Sequence, residues 1–236
     1  MQSTSTEPAS IDSPRRYSAR LWIAAIAIGV AGLCYSSWTL EHLWAGGLDP
    51  MRTFLSELDA AGRPHRQVYV AGDIITAVAA MVAMLVLSLP TPAVRGYRSL
   101  IAIIAFGCFG AATLADALMP IECIPGVDAD CPWEPSGIFP QLHHVHALTS
   151  SVAVISLFTA IIAASLASFA GDRWRLLRVA GTTIFGVIVV STAWMLIADN
   201  LTGDYRLGLA QRIQVGAMSV WMLVWAVAVV RERRSP

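Results

Sequence analysis

Six stretches of about twenty apolar residues leave this chain little choice of fold. They run Leu21–Leu40, Val68–Leu89, Leu100–Met119, His144–Phe169, Val179–Ala198 and Ile213–Val230. A helix rises about 1.5 Å per residue, so about 20 residues cross a hydrocarbon layer about 30 Å thick. A buried helix of a soluble protein carries a polar stripe, and these stretches carry none. Composition agrees: 56% of the 236 residues are hydrophobic and only 14% charged. A soluble domain of this size needs about a quarter charged residues to coat its surface. The expectation is an all-α, polytopic membrane bundle of six transmembrane helices. Residues 1–20 read as a disordered tail, 21–230 as the transmembrane domain and 231–236 as a second tail. No cleavage signature follows the first apolar block, so the N-terminus does not read as a signal peptide.

Arginine sets the expected orientation. All basic side chains are Arg, and eleven of the sixteen fall on one side: Arg15, Arg16, Arg20, Arg95, Arg98, Arg173, Arg175, Arg178, Arg231, Arg233 and Arg234. Arg52, Arg63, Arg66, Arg206 and Arg212 fall on the other. The richer side is expected to be cytoplasmic, with both termini inside. Arg-only, Ala-rich usage points to a GC-rich bacterial genome, and the expected location is the inner membrane. Trp22 and Trp174 then mark the inner interface, and Trp38, Trp44 and Trp133 the outer one. The small pairs Ala111-x-x-x-Ala115 and Ala164-x-x-x-Ser168 permit close helix approach, although Ala is common throughout.

That orientation sends twelve of the sixteen acids and all five His to the outer face. Asp73 and Asp116 lie inside the second and third spans, His143 and His146 open the fourth, Asp199 closes the fifth and Arg212 opens the sixth. Ionisable groups at such depth are expensive unless they pair or face water. They are expected to turn inward and line one polar cup under the outer loops. The bland alternative is interfacial, hydrated groups that fix helix packing.

His143 and His146 are spaced i, i+3 and share a helical face. With Asp116 they form a candidate zinc set, Asp73 being an alternative third ligand. They also read as acid/base groups, as pH sensors or as hydrated histidines. Ser56 lies in a short amphipathic stretch, Phe54-Leu-Ser-Glu-Leu-Asp59, expected to lie on the membrane with Phe54, Leu55 and Leu58 down. No nucleophile elbow surrounds it, so Ser56 reads as a capping residue before a catalytic one. Cys123 and Cys131 bracket an outer loop and are expected to form a disulfide. Cys34 and Cys108 fall within spans and read as packing residues. Asp128, Asp130 and Glu134 lack the EF-hand pattern and read as a solvated acidic loop. Phosphate-binding and dinucleotide motifs are missing, and no basic–aromatic pattern suits nucleic acid.

Four of these segments, in order, carry a resemblance: Phe54-Leu-Ser-Glu-Leu58, Ala115-Asp-Ala-Leu-Met-Pro120, the loop Cys123–Cys131 and Leu142-His-His-Val-His-Ala-Leu148. The chain resembles the six-helix bacterial membrane family called domain of unknown function 998, over residues 20–230. That resemblance implies topology and the place of a site, without a reaction. A fainter similarity runs to seven-helix hydrolases related to alkaline ceramidases, which use Ser, Asp and several His around zinc. This chain departs from them, having six spans and neither a Ser-x-x-x-His nor a His-x-x-x-His pair.

Three functions stay open on sequence. The first is recognition of a lipid headgroup, small ligand or partner by the outer cup. The second is an enzyme on a lipid or isoprenoid, with Asp116, His143 and His146 as acid/base groups or metal ligands and Asp73 and Asp199 in support. For an isoprenoid cyclase, Trp194, Trp221 and Trp225 are candidates to stabilise a cation. The third, a small transporter, is disfavoured because no broken helix pair and no charge mark the midplane.

Overall fold

The structure is a computed structural model, and it describes residues 14–44, 46–89, 96–129, 131, 145–171 and 174–232. Among them it is all-helical. The long helices are α1 (Pro14–Cys34), α2 (Arg66–Ser88), α3 (Tyr97–Leu118), α4 (Val145–Ala170), α5 (Thr182–Ala198) and α6 (Leu207–Glu232). Six helical segments are long and apolar enough to cross a membrane. The first of them continues beyond α1 through the 3-10 segment Ser37–Leu43.

Two helix starts lie more than a turn from those expected. Helix α1 starts at Pro14, so residues 14–20, read as tail, are helical. Helix α6 starts at Leu207, ahead of Ile213. Its first turns carry Gln211 and Arg212, whose polarity disguised them in the sequence as loop, and Gln214 follows within the expected span. Gln211 accepts the Leu55 N–H at 2.5 Å, and Gln214 donates to the Thr192 hydroxyl at 2.6 Å.

The helices pack in the order α4, α3, α2, α1, α6, α5. A π-helical turn, Leu177–Gly181, touches α4, α5 and α6 and closes this curl at the end nearest the α4–α5 connection. There the Arg178 guanidinium donates to the carbonyls of Ser168 and Gly171, which α4 leaves unpaired at its C-terminus. Helix α5 buries only Ile188, Ser191 and Ala198 and exposes apolar residues on its remaining surface, as lipid allows.

The core is built from alanine seams and one aromatic cluster. Ala77, Ala80 and Ala83 of α2 meet α3, while Ala164 and Ser168 are fully buried on α4. Ala111 is exposed instead, so the close-approach reading holds for Ala164-x-x-x-Ser168 and not for Ala111-x-x-x-Ala115. Trp225 stacks edge-on against Phe106 (5.1 Å) and Trp174 (5.6 Å) and lies beside Trp221 (5.0 Å). Trp174 is therefore a core residue and not an interface marker. Trp133 lies outside the described residues.

Candidate functional site

The end of the bundle that carries the α1–α2, α3–α4 and α5–α6 connections is covered by folded loops. The segment after α1 continues as the 3-10 helix Ser37–Leu43. Its Glu41 accepts two hydrogen bonds from Arg212 of α6, Nε to Oε1 at 2.7 Å and a terminal nitrogen to Oε2 at 2.6 Å. Both side chains are only 7% exposed. A second terminal nitrogen of Arg212 donates to the carbonyls of Thr53 and Gly208 at 2.7 and 3.1 Å. A buried charge needs this degree of satisfaction.

The α1–α2 loop then dips into the bundle. Leu55–Glu57 forms one 3-10 turn, closed where the Phe54 N–H donates to the Glu57 carboxylate at 3.1 Å. Burial pushes the Glu57 carboxyl up to about 7. Leu58, Asp59 and Ala60 are buried. This stretch was expected on the membrane surface. It enters the protein instead, because its apolar residues find a partner in the helices. Ser56 lines a cavity and makes no capping bond among the described residues.

The α3–α4 loop is tied to the first. The Ala61 N–H donates to the Ile121 carbonyl at 2.8 Å. Arg63 donates to Asp128 Oδ1 at 2.6 Å, and Asp128 Oδ2 accepts the Ile124 N–H at 2.8 Å. Asp128 is thus a structural clasp and not a solvated acid; Asp130 and Glu134 lie outside the described residues. The disulfide Cys123–Cys131 is present, as expected.

Below these loops is a cavity of about 110 Å³. Loop residues Ser56, Leu58 and Asp59 cover it; Tyr35 and Trp38 of the first span and Tyr69 and Asp73 of α2 form one wall; Thr113 and Asp116 of α3, Ser150 of α4 and Gln211 and Gln214 of α6 form the rest. Helix α5 contributes nothing to the lining. Gly72, next to Asp73, lets the two walls meet: a Cβ there would lie 2.5 Å from the Ser37 hydroxyl.

Three carboxylates reach this cavity. Asp116 Oδ1 accepts the Thr149 and Ser150 hydroxyls at 2.5 and 2.8 Å. Asp73 makes no hydrogen bond or ion pair among the described residues. Asp59 is 5% exposed, and its Oδ1 is buried without a partner among the described residues. Burial pushes the Asp59 carboxyl up to about 6, an effect opposed by His146 and reinforced by Asp116. Two more orphaned atoms belong to lining residues: the Thr113 hydroxyl and the Trp38 indole nitrogen. Buried polar atoms nearly always have partners, so three without one around a single cavity are unusual.

A model of the family described as "Protein of unknown function (DUF998)" matches residues 22–228, from α1 through α6. The chain belongs to the DUF998 family. No curated protein and no solved structure matches this DUF998 protein.

The DUF998 chain gathers some of the sequence-nominated residues and not others. Asp73 and Asp116 share the cavity. His146 stands behind it: Nδ1 lies 2.9 Å from the Met119 carbonyl and 3.3 Å from Asp116 Oδ1. A carbonyl only accepts, so Nδ1 carries the hydrogen. Nε2 is buried and unpartnered. Asp199 does not join, being exposed at the end of α5. His143 lies outside the described residues, and with it the proposed zinc set of His143, His146 and Asp116. Among the described residues no three His, Cys, Asp or Glu are placed to hold a metal ion. Trp221 and Trp225 belong to the aromatic core, and Trp194 is half exposed with its N–H on the Tyr205 carbonyl. None of the three lines the cavity.

Sequence reasoning missed Asp59, Thr113 and the Glu41–Arg212 pair. The available signal for Asp59 was an acid set among Leu58, Ala60 and Ala61, an apolar setting unusual for a solvated loop.

Proposed function

We propose that this DUF998 protein is a membrane-embedded binding protein whose loop-covered cavity takes a small ligand or a lipid headgroup. One observation carries the reading: among the described residues, Asp59 Oδ1, the Thr113 hydroxyl and the Trp38 indole nitrogen are buried without protein partners on residues lining the same cavity. Unpartnered buried atoms also occur in the aromatic core, on Trp174, Trp221 and Trp225, so what singles out this cavity is that its orphaned atoms sit beside three carboxylates around one open space. The arginine distribution supports a cavity facing away from the cytoplasm of a bacterial cell. Native mass spectrometry of the purified full-length protein tests the proposal. The wild type should retain a small molecule of defined mass, and Thr113→Phe, which fills the cavity, should lose it. A wild type with no retained molecule, or equal retention by both proteins, would contradict it.

His146 favours a second function, proton transfer in a lipid- or isoprenoid-modifying enzyme. Its Nδ1 is held by Met119 and Asp116 while Nε2 stays unpartnered, the arrangement of a general base oriented by a carboxylate. On this reading His146→Gln abolishes turnover of a membrane-lipid extract and leaves ligand retention intact. Unchanged turnover removes the reading.

A further inference from the structure

We infer that the ligand group entering the cavity is an organic cation: a primary or methylated ammonium. The inference rests on the binding function proposed above and specifies its chemistry. Three carboxylates, Asp59, Asp73 and Asp116, line the cavity, and among the described residues none of its lining side chains is basic. The basic groups nearby are engaged elsewhere. Arg212 is held by Glu41, Arg63 by Asp128, and His146 by Met119 and Asp116. Arg66 donates through Nε to the Asp59 backbone carbonyl at 2.7 Å, and Asp59 Oδ1 stays without a partner among the described residues.

An anionic group would therefore enter against like charge with no donor cation to receive it. A neutral polyol would satisfy the hydrogen bonds and leave the charge. A single metal ion requires ligands gathered within about 2–2.6 Å of one point, and no such set of three exists among the described residues. An ammonium is larger, donates to separated acceptors and tolerates that spacing. Apart from the carboxylates, the buried Thr113 hydroxyl on the same cavity is also unpartnered among the described residues, and Asp59 is 95% buried, so its orphaned Oδ1 is not a surface acid relaxed by water. Tyr35, Trp38 and Tyr69 add aromatic walls, which favour methylated ammonium through the ring quadrupole. The same chemistry is offered by a free amine and by an aminated lipid headgroup.

Calorimetric titration of the full-length protein in detergent tests the inference with ethanolamine and choline as probes. Their uncharged counterparts, ethylene glycol and 3,3-dimethylbutan-1-ol, serve as comparison. The wild type should bind at least one cation about tenfold or more tightly than its neutral match, and the isosteric Asp73→Asn should remove that preference. Asp204→Asn, at an exposed site outside the cavity lining, should keep it. Nanodiscs of phosphatidylethanolamine or phosphatidylglycerol then separate the sources. Native mass spectra retaining the aminated lipid assign a headgroup, and binding of the free amine alone assigns a soluble ligand. Neutral probes binding as well as cations, with a loss in Thr113→Phe, would overturn the cation and leave the binding function standing. Should no probe bind and the cavity-filling variant change nothing, both would fall. The wild-type comparison of charged and neutral probes decides the matter even if Asp73→Asn does not fold.

Discussion

Asp59 concentrates the physical tension of this fold. Its carboxyl rises from an ordinary 3.8 to about 6 because burial strips water from the charge. The folded protein keeps that proton up to about pH 6, while the unfolded chain releases it near pH 4. Between those values the folded state binds more protons, so stability is full below about pH 4, falls as pH rises to about 6, and is level above. Two pH units correspond to at most about 3 kcal/mol. Asp59→Asn removes the titration and should raise thermal stability at pH 8 while flattening the profile between pH 4 and 6. Thermal melts across pH check both. Glu41 and Arg212 behave oppositely, since each neutralises a partner already buried. Glu41→Ala should destabilise by about 3–5 kcal/mol, because it strands the guanidinium, and the apolar replacement of both partners should be milder. Chemical denaturation of the single and double variants separates the two effects.

At the scale of elements, close approach at Gly72 and the ties between loops decide whether the cavity keeps its shape. Gly72→Ala would press its methyl on Ser37 and drive the 3-10 helix Ser37–Leu43 from α2. A loss of about 1–3 kcal/mol is expected for such overpacking, readable as a lower melting temperature. Reduction of Cys123–Cys131 should loosen the cover without unfolding the helices: hydrogen exchange should rise in residues 121–128 and stay unchanged in α2 and α3. What was legible in the sequence follows this division. The spans could be read because lipid demands unbroken apolarity. Asp73 and Asp116 could be placed on the cavity because burial in hydrocarbon forces such groups inward. The path of the α1–α2 loop could not be read. It depends on the Arg212 carbonyl bonds, the Gln211 clasp and the Arg63–Asp128 pair, all contacts between distant parts of the chain. Asp199 was misplaced for a related reason. Span-end position fixes depth, but not which way α5 faces, and α5 stands outside the ring around the cavity.

The whole molecule is a bundle whose charged interior lies at one end and whose aromatic core lies toward the other. The central claim is that the cavity at the loop-covered end is wet and negative. Thiol labelling tests this most directly, using Ser150→Cys in a background of Cys34→Ala and Cys108→Ala with the disulfide intact. A cationic methanethiosulfonate should modify this position about tenfold faster than an anionic one, whereas Ile75→Cys, on the exposed apolar face of α2, should stay unmodified in the bilayer. Labelling of Ser150→Cys as slow as that of Ile75→Cys, or equal rates with both reagents, would contradict the account.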